Sequence, residues 1–243
     1  MRRVPSSRDV SRLEGFSDAV FGFALTLLVV SLEVPRDFGG LSETLGGFLS
    51  FAATFTVIAW IWYEHYLVFR KFRLEDGLTI VLNAALLFVV LFYVYPLKFV
   101  FSNLIPQVTP AGLRPAATGF ATMTAGEARQ LLTVYSLGFV AVFGLFAALH
   151  ANALRQRHAL ALDAVGQFDA RAGLRRHTLT VAVGLLSLFL AVTLPPRWVG
   201  LSGFCYFLLG PVHATFGFLG GRARNRLTAI QSGCYHPPEE PTP

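Results

Sequence analysis

The chain has 243 residues, of which 54% are hydrophobic and only 14% are charged, with a formal net charge of +6. Soluble domains carry about 25% charged residues, and a single soluble core of this size cannot bury so large an apolar excess. The positive charge would suit a nucleic-acid partner. However, Lys and Arg gather between long apolar runs, so we predict an all-α membrane protein that binds no nucleic acid.

Six apolar stretches can cross a bilayer, because a helix needs about 20 mostly apolar residues to span the hydrocarbon core. They cover residues 16–34, 45–68, 78–97, 130–152, 177–194 and 198–221. The fifth stretch ends at Pro195-Pro196 and the sixth begins almost at once, so these two should form a tight hairpin. The predicted organisation is a cytoplasmic N-terminal segment, a six-helix transmembrane domain and a disordered tail, over residues 1–15, 16–221 and 222–243.

Basic residues set the orientation of the six stretches. Lys and Arg surround the start of the chain, follow the second and fourth stretches and close the sixth, whereas few lie on the other side. Cytoplasmic loops of membrane proteins carry the excess of Lys and Arg. Both termini are therefore predicted to face the cytoplasm in a multi-pass protein of the plasma membrane, which agrees with an even number of helices.

Polar side chains inside a spanning helix are costly and often functional. Ser17 and Asp18 lie near the cytoplasmic end of the first stretch, and His65 lies near the same end of the second. Two interpretations of Asp18 stay open: a helix-start carboxylate that ties helices together, or a residue that binds ions or transfers protons. Two also stay open for His65, which either joins a hydrogen-bond network with Ser17 and Asp18 or belongs to an aromatic interfacial belt.

Motifs of enzymes and of metal or cofactor sites are missing from the sequence. There is no HExxH, no GxSxG and no Gly-rich phosphate loop. His213 lies in the sixth stretch, but no second ligand follows three or four residues later, so neither a metal nor a cofactor is predicted. The TVGYG filter is also missing, which argues against a carbonyl-lined potassium site.

The first stretch carries one face that is apolar apart from a single hydroxyl. Its members recur at helical spacing and are Phe16, Ala19, Phe23, Thr26, Leu27 and Val30. From periodicity alone, this face is either a plain packing stripe or the lining of a pore.

A motif at the start of this stretch favours the pore. Arg12-x-x-x-Phe16-Ser17-Asp18 resembles the RxxxFSD signature of the transmembrane protein 175 family of potassium channels, which opens the first helix of each six-helix unit. Weaker resemblances to the second and third helices of that family lie at Trp62-x-x-His65, Leu82-Asn83 and Pro96. The resemblance covers the first three stretches, and beyond them only the helix count and topology agree.

The resemblance implies a potassium-permeable cation channel that is a homotetramer in the lipid bilayer, with the first helices of its subunits around one pore. Phe23, Leu27 and Val30 would form an apolar constriction, and Thr26 would supply a layer of pore-lining hydroxyls. Relatives often carry Ile or Leu where Phe23 stands, so a ring of Phe side chains would either narrow the pore further or point in a different direction. The resemblance also implies a network that holds the first helix, formed by Arg12, Phe16, Ser17, Asp18 and His65.

A proton-coupled secondary transporter is the alternative, with Asp18 and His65 as its proton relay. Such transporters usually show repeated halves and helices broken near mid-membrane. The sequence shows no clear internal repeat, and we expect no helix with a central Gly/Pro break. A channel therefore remains the leading prediction, and no enzymatic activity is predicted.

Overall fold

The computed structural model describes residues 11–32, 36–39, 44–45, 47–108 and 123–231. Six long helices run through these residues: α1 Arg12–Val30, α2 Phe48–Phe72, α3 Gly77–Val108, α4 Ala125–Arg155, α5 Ala164–Thr193 and α6 Leu209–Gln231. The prediction of an all-α protein with six long helices is confirmed.

Five stretches of the described chain are helical, long and apolar enough to cross a membrane: residues 12–30, 77–105, 125–155, 164–193 and 196–229. The remaining long helix, α2, has 25 residues and is about 38 Å long at about 1.5 Å per residue. It is not among these five stretches, and its second half carries Glu64 and His65, both of which are buried. The length of α2 therefore also suffices for a crossing.

Capping side chains fix where several helices begin. Ser11 and Glu14 form a reciprocal capping box at the start of α1, and Thr124 and Glu127 form another at the start of α4. Asp163 accepts a backbone hydrogen bond of 2.7 Å at the start of α5. These helices begin before the predicted stretches, because hydrogen-bonding caps rather than the first apolar residue set their ends.

α3 and α6 continue furthest past the ends of the predicted stretches. α3 passes through Pro96 and ends at Val108, since a spanning helix tolerates Pro where its surroundings satisfy the freed backbone group. α6 continues to Gln231, into the segment predicted as a tail. The remaining tail residues 232–243, the end of the first predicted stretch at 33–34 and residues 1–10 lie outside the described part of the chain.

The last span is interrupted in its first half. A 3-10 turn at Pro196–Trp198, a short helix at Leu201–Phe204 and a second 3-10 turn at Cys205–Leu208 precede α6. Pro211 lacks the N–H that would bond to the carbonyl of Phe207, so the regular helical ladder is incomplete here. We expected no helix with a central Gly/Pro break, and this span departs from that expectation between Cys205 and Pro211.

Aromatic side chains form the centre of the bundle. Trp60 of α2 contacts Phe143 of α4 with ring centroids 5.3 Å apart, and Phe143 contacts Phe139 at 4.5 Å and Phe146 at 6.2 Å. Tilted contacts of this kind contribute about 0.5–1.5 kcal/mol per pair beyond the burial of their area. The core is continuous from this cluster to the buried face of α1.

Glycines bring α4 close to α3 and α5. Gly173 of α5 lies against the ring of His150, Gly184 of α5 lies against Val140, and Gly138 of α4 lies against an aromatic ring of α3. A side chain at any of these positions would collide with its neighbour. Small residues allow the same close approach in many packed membrane helices.

Asp76 holds the short connection between α2 and α3. Its carboxylate accepts hydrogen bonds from the hydroxyl of Thr79, from Nδ2 of Asn152 at 3.0 Å and from the backbone N–H of Leu78 at 3.2 Å. Partial burial raises the pKa of Asp76, but the hydrogen bonds outweigh it and lower the pKa to about 2. A charged carboxylate therefore links the start of α3 to the end of α4 throughout the physiological pH range.

Gly138→Ala should destabilise the protein, because the new methyl group would collide with the ring of Tyr93 and overpacking costs about 1–3 kcal/mol. Gly144→Ala on the same helix is the matched control. Nothing lies within 4 Å of a Cβ at that position, and Ala is favoured over Gly in helices by up to ~1 kcal/mol. Thermal unfolding of both purified variants in one detergent measures the difference, and equal unfolding temperatures would contradict the close contact.

Candidate functional site

α1 presents two unlike faces. The inner face is buried against other helices and consists of Ser17, Phe21, Ala24 and Leu28. On the opposite face, Phe23 exposes 58% of its surface and Val30 exposes 72%. Large exposed apolar side chains on a membrane-spanning helix are contacts for lipid, for a pore or for another copy of the chain.

The predicted pore face lies on the exposed side of α1. Phe16, Phe23, Thr26 and Val30 are exposed, and Leu27 is half-buried at the edge of the face. Oγ1 of Thr26 donates a hydrogen bond of 2.9 Å to a backbone carbonyl of its own helix. This bond uses the hydroxyl proton and leaves the oxygen as an acceptor. Within the described part of the chain, Phe16, Phe23, Thr26 and Val30 stay exposed, so the described residues of one chain leave this face open.

A buried chain of hydrogen bonds ties α1 to α2 and α3. Nδ2 of Asn83 donates to Oγ of Ser17 at 2.9 Å, and Ser17 donates to the carbonyl of Leu13 at 2.8 Å. Oδ1 of Asn83 lies 2.8 Å from Nε2 of His65, so Nε2 is the donor when Asn83 has this orientation. All three polar side chains are buried, and each hydrogen bond therefore satisfies groups that water does not reach.

Aromatic rings hold His65 in this position. Phe69, one turn later on α2, stacks on the imidazole with ring centroids 4.4 Å apart. Phe21 of α1 approaches the imidazole at 5.5 Å. The ring of His65 is therefore fixed both by its hydrogen bond and by contacts from its own helix and from α1.

Asp18 has a different partner from the predicted one. Its Oδ1 accepts a hydrogen bond of 2.8 Å from the indole Nε1 of Trp62. Ser17 and His65 are joined through Asn83, whereas Asp18 makes a separate link to α2. Among the described residues, no hydrogen bond or ion pair connects Asp18 to His65.

Two predicted members of the network, Arg12 and Phe16, take no part in the hydrogen bonds described above. Arg12 and Phe16 are both exposed. Within the described ranges, Arg12 makes no hydrogen bond or ion pair with Ser17, Asp18 or His65. Their place in the network implied by the RxxxFSD motif stays a prediction.

Sequence reasoning did not find Trp62 as the partner of Asp18. The belt interpretation assigned this side chain to the membrane surface, although its indole N–H needs a partner. Trp62 precedes His65 by three residues, so both project from one side of α2. This three-residue spacing was the feature of the sequence that could have indicated a contact between Trp62 and α1. Asn83, which the sequence analysis named only in the resemblance to the third helix of the family, bonds α3 to α1.

The other end of α1 has an anchor that the sequence did not reveal. Nζ of Lys98 on α3 donates to the carbonyl and to the hydroxyl of Ser31, each at 2.8 Å. Ser31 is the C-cap of α1, where carbonyls lack helical partners and carry partial negative charge. In the sequence, Lys98 counted only as a charge on the outer side. Hydrogen bonds to α3 therefore hold α1 near both of its ends.

A second set of charged side chains links α2, α5 and α6. Arg176 pairs with Glu64, and Oδ2 of Asp169 lies 3.2 Å from Nζ of Lys71 and from Nε of Arg224. The sequence analysis assigned Lys71, Arg176 and Arg224 to loops. There they served only as positive charges that indicate which side of the membrane is cytoplasmic. In the part of the chain that the structure describes, no group of three or more His, Cys, Asp and Glu side chains could hold a metal ion.

Long apolar helices that enclose buried polar side chains define a multi-pass membrane protein. Residues 12–93 match the family described as "Endosomal/lysosomal potassium channel TMEM175". A protein named "Potassium channel" from Marivirga tractuosa is 36% identical over 224 residues, which cover 89% of this chain and 90% of the relative. The chain belongs to the TMEM175 family, which confirms the resemblance given by the RxxxFSD motif.

Solved structures show the same fold. The crystal structure of a threonine-to-alanine variant of the potassium channel MtTMEM175 superposes with a TM-score of 0.75 at 33% identity, over 89% of this chain and 96% of that chain. A TMEM175 homolog from Chamaesiphon minutus, described as a lysosomal potassium-selective channel, superposes with a TM-score of 0.56 at 24% identity, over 84% and 96%. This second likeness shows the fold alone.

Asn83→Leu should lower stability, because it removes two hydrogen bonds and leaves Ser17 and His65 without this partner. Hydrogen bonds between membrane helices contribute about 0.6–2 kcal/mol each, so we expect a loss of roughly 1–4 kcal/mol. Asn225→Leu is the control, because Asn225 is exposed on α6. Unfolding by SDS in mixed micelles gives both free energies. If the two variants proved equally stable, this chain of bonds would not be an anchor of α1.

Proposed function

We propose that this protein is a potassium-permeable cation channel of the plasma membrane. Relatives that it matches over most of its length are named potassium channels, and channels are not enzymes. The observation that carries the proposal is the face of α1 with Phe23, Thr26 and Val30, which is exposed while the opposite face is buried. Because α1 is held near both ends, its exposed face is suited to line a pore that several copies of the chain form together.

In the proposed channel, four copies surround the pathway and each contributes α1, as the family resemblance implies. Phe23, Leu27 and Val30 follow one another along the helix at about 6 Å and about 4.5 Å. Equivalent residues of the copies would form three successive apolar rings. The three side chains fall within one narrow sector of the helix, which supports a single lining face.

The proposed constriction works by excluding water. A narrow apolar tube loses its water below a certain radius. It then blocks ions even though no side chain physically occludes the pore. A small rotation of α1 would change the radius at all three rings together. The anchors at Ser17 and Ser31 both tie α1 to α3, so a movement that changes the radius of the rings would carry these two helices together.

Thr26 would interrupt the apolar lining with a ring of hydroxyl oxygens. Because its proton is donated to the helix backbone, the oxygen presents lone pairs. Potassium holds its hydration shell less tightly than sodium, so a constriction that removes water favours potassium. We therefore propose a modest preference for potassium over sodium.

The orientation with both termini in the cytoplasm is part of this proposal. It is supported by the basic ends of α2 and α6 and the basic start of α5. The transporter alternative needs a proton relay between Asp18 and His65. In the described chain these residues bind Trp62 and Asn83 respectively, and that separation gives the relay no support.

Leu27→Ala should increase cation current and lower the potassium-to-sodium permeability ratio, because it widens the middle ring. A barrier lowered by about 1.4 kcal/mol raises the rate about tenfold, and we expect a change of that order. Leu25→Ala removes the same volume from α1 at a position packed against the core, so it serves as the control. Bilayer recordings of the reconstituted proteins make the comparison, and an unchanged current in Leu27→Ala would contradict the constriction.

Native mass spectrometry of the purified protein should give the mass of four chains. A fourfold assembly would place four copies of α1 around one axis. Solitary subunits that still pass potassium would contradict a shared pathway, whereas slow saturable flux in place of discrete currents would contradict a channel.

A further inference from the structure

A cavity of about 240 Å³ lies between α2, α5 and α6, near the end of the bundle where α2 ends and α5 begins. Lys71, Arg176 and Arg224 line it with positive charge, one from each helix. Glu64 and Asp169 line it with negative charge. The lining therefore has a net positive charge with its histidines neutral.

Both carboxylates of the cavity are already paired. Asp169 lies 3.2 Å from Lys71 and from Arg224, and Glu64 is bound by Arg176. The two acidic side chains are also largely buried. Neither carboxylate is therefore free to attract a cation into the cavity.

Hydrogen-bond donors are left over in the cavity. Arg224 contacts Asp169 only through Nε, and its Nη groups make no hydrogen bond within the described residues. Nε of Arg176 also has no partner there, but it is buried, so Arg176 adds positive charge to the lining rather than an open Nε donor. The side chains of Lys71 and Arg224 are 44% and 48% exposed. Unused guanidinium donors beside an ammonium match the acceptor oxygens of a phosphate group.

The other walls of the cavity are apolar or open. Leu67, Phe168 and Phe216 contribute apolar surface. Gly220 and Gly221 form an open wall on α6, since a Cβ at either position would have nothing within 4 Å. The volume is below the roughly 300–1,000 Å³ of typical small-molecule sites. It therefore suits a headgroup whose acyl chains lie outside, along the helices.

We propose that this cavity binds the phosphate headgroup of an anionic phospholipid. Basic pockets between spanning helices at the cytoplasmic surface are known to take such headgroups. Here the phosphate would accept from the Nη groups of Arg224 beside the positive charges of Lys71 and Arg176, while Asp169 keeps the two exposed cations in place. The site holds α2, α5 and α6 together and does not depend on ion permeation.

Delipidated wild-type protein in a neutral maltoside detergent tests the proposal. Phosphatidylglycerol or phosphatidylcholine is added at equal mole fractions, and the unfolding temperature is followed by Trp fluorescence. Phosphatidylglycerol should give half of its maximal stabilisation at a mole fraction at least about tenfold lower, since each basic residue contributes about fivefold. Equal effects of the two lipids would overturn the proposal, and so would equal stabilisation by inorganic phosphate alone.

Two variants locate the binding in this cavity. Arg224→Gln should weaken the phosphatidylglycerol effect about fivefold, and Gly221→Leu should remove it by filling the open wall without changing any charge. Their controls are Arg222→Gln, whose guanidinium lies 4.0 Å over the ring of Phe218, and Gly210→Leu, also at an open position of α6. The controls should retain the wild-type response. If both cavity variants retained it too, the lipid would bind elsewhere and the proposal would be wrong.

Discussion

The two hydrogen bonds of Asn83 connect three helices at a depth where water offers no replacement. Ser17 lies at one side of the amide and His65 at the other, so the amide uses both its donor and its acceptor. Loss of either neighbour leaves a buried polar group unpaired, which costs more than a hydrogen bond gains. This constraint fixes the rotation of α1 about its own axis, and that rotation decides which side chains face outward.

The proposed channel depends on a helix, α1, that has one buried face and one exposed face. Phe21 and Leu28 are buried in the core, whereas Phe23 and Val30 belong to the opposite side of the same helix. Lys98 binds Ser31 at the C-terminal end of α1. The helix that carries the exposed face is therefore held in place at that end as well. The family relationship and this geometry have independent origins, since one comes from sequence identity and the other from burial.

The sequence predicted the long helices well, because apolar runs of sufficient length leave few alternatives in a membrane. It also allowed a network between Ser17 and His65, because both lie at similar depth on neighbouring helices, but it did not show that Asn83 joins them. It failed where the outcome depends on distant residues. Nothing local to Lys98 shows that it reaches Ser31, 67 positions away along the chain.

Two further failures have local causes. The interruption at Cys205–Leu208 was missed although Gly210 and Pro211 follow it, because the whole stretch remains apolar. The partner of Asp18 was missed because Trp62 belongs to a residue type that also collects at membrane surfaces. Composition alone does not show whether a Trp lies at the membrane surface or donates a hydrogen bond inside the bundle. The position of a carboxylate on the neighbouring helix does show this.

The contact between Gly173 and His150 has an evolutionary consequence. The imidazole fills the space that a side chain at position 173 would need, and Nδ1 of His150 is bonded to the carbonyl of Phe146 at 2.9 Å. The ring therefore cannot turn aside without losing that bond. A larger residue at 173 is tolerated only after position 150 has become smaller, so substitutions at these two sites should arise in a fixed order during divergence of the family.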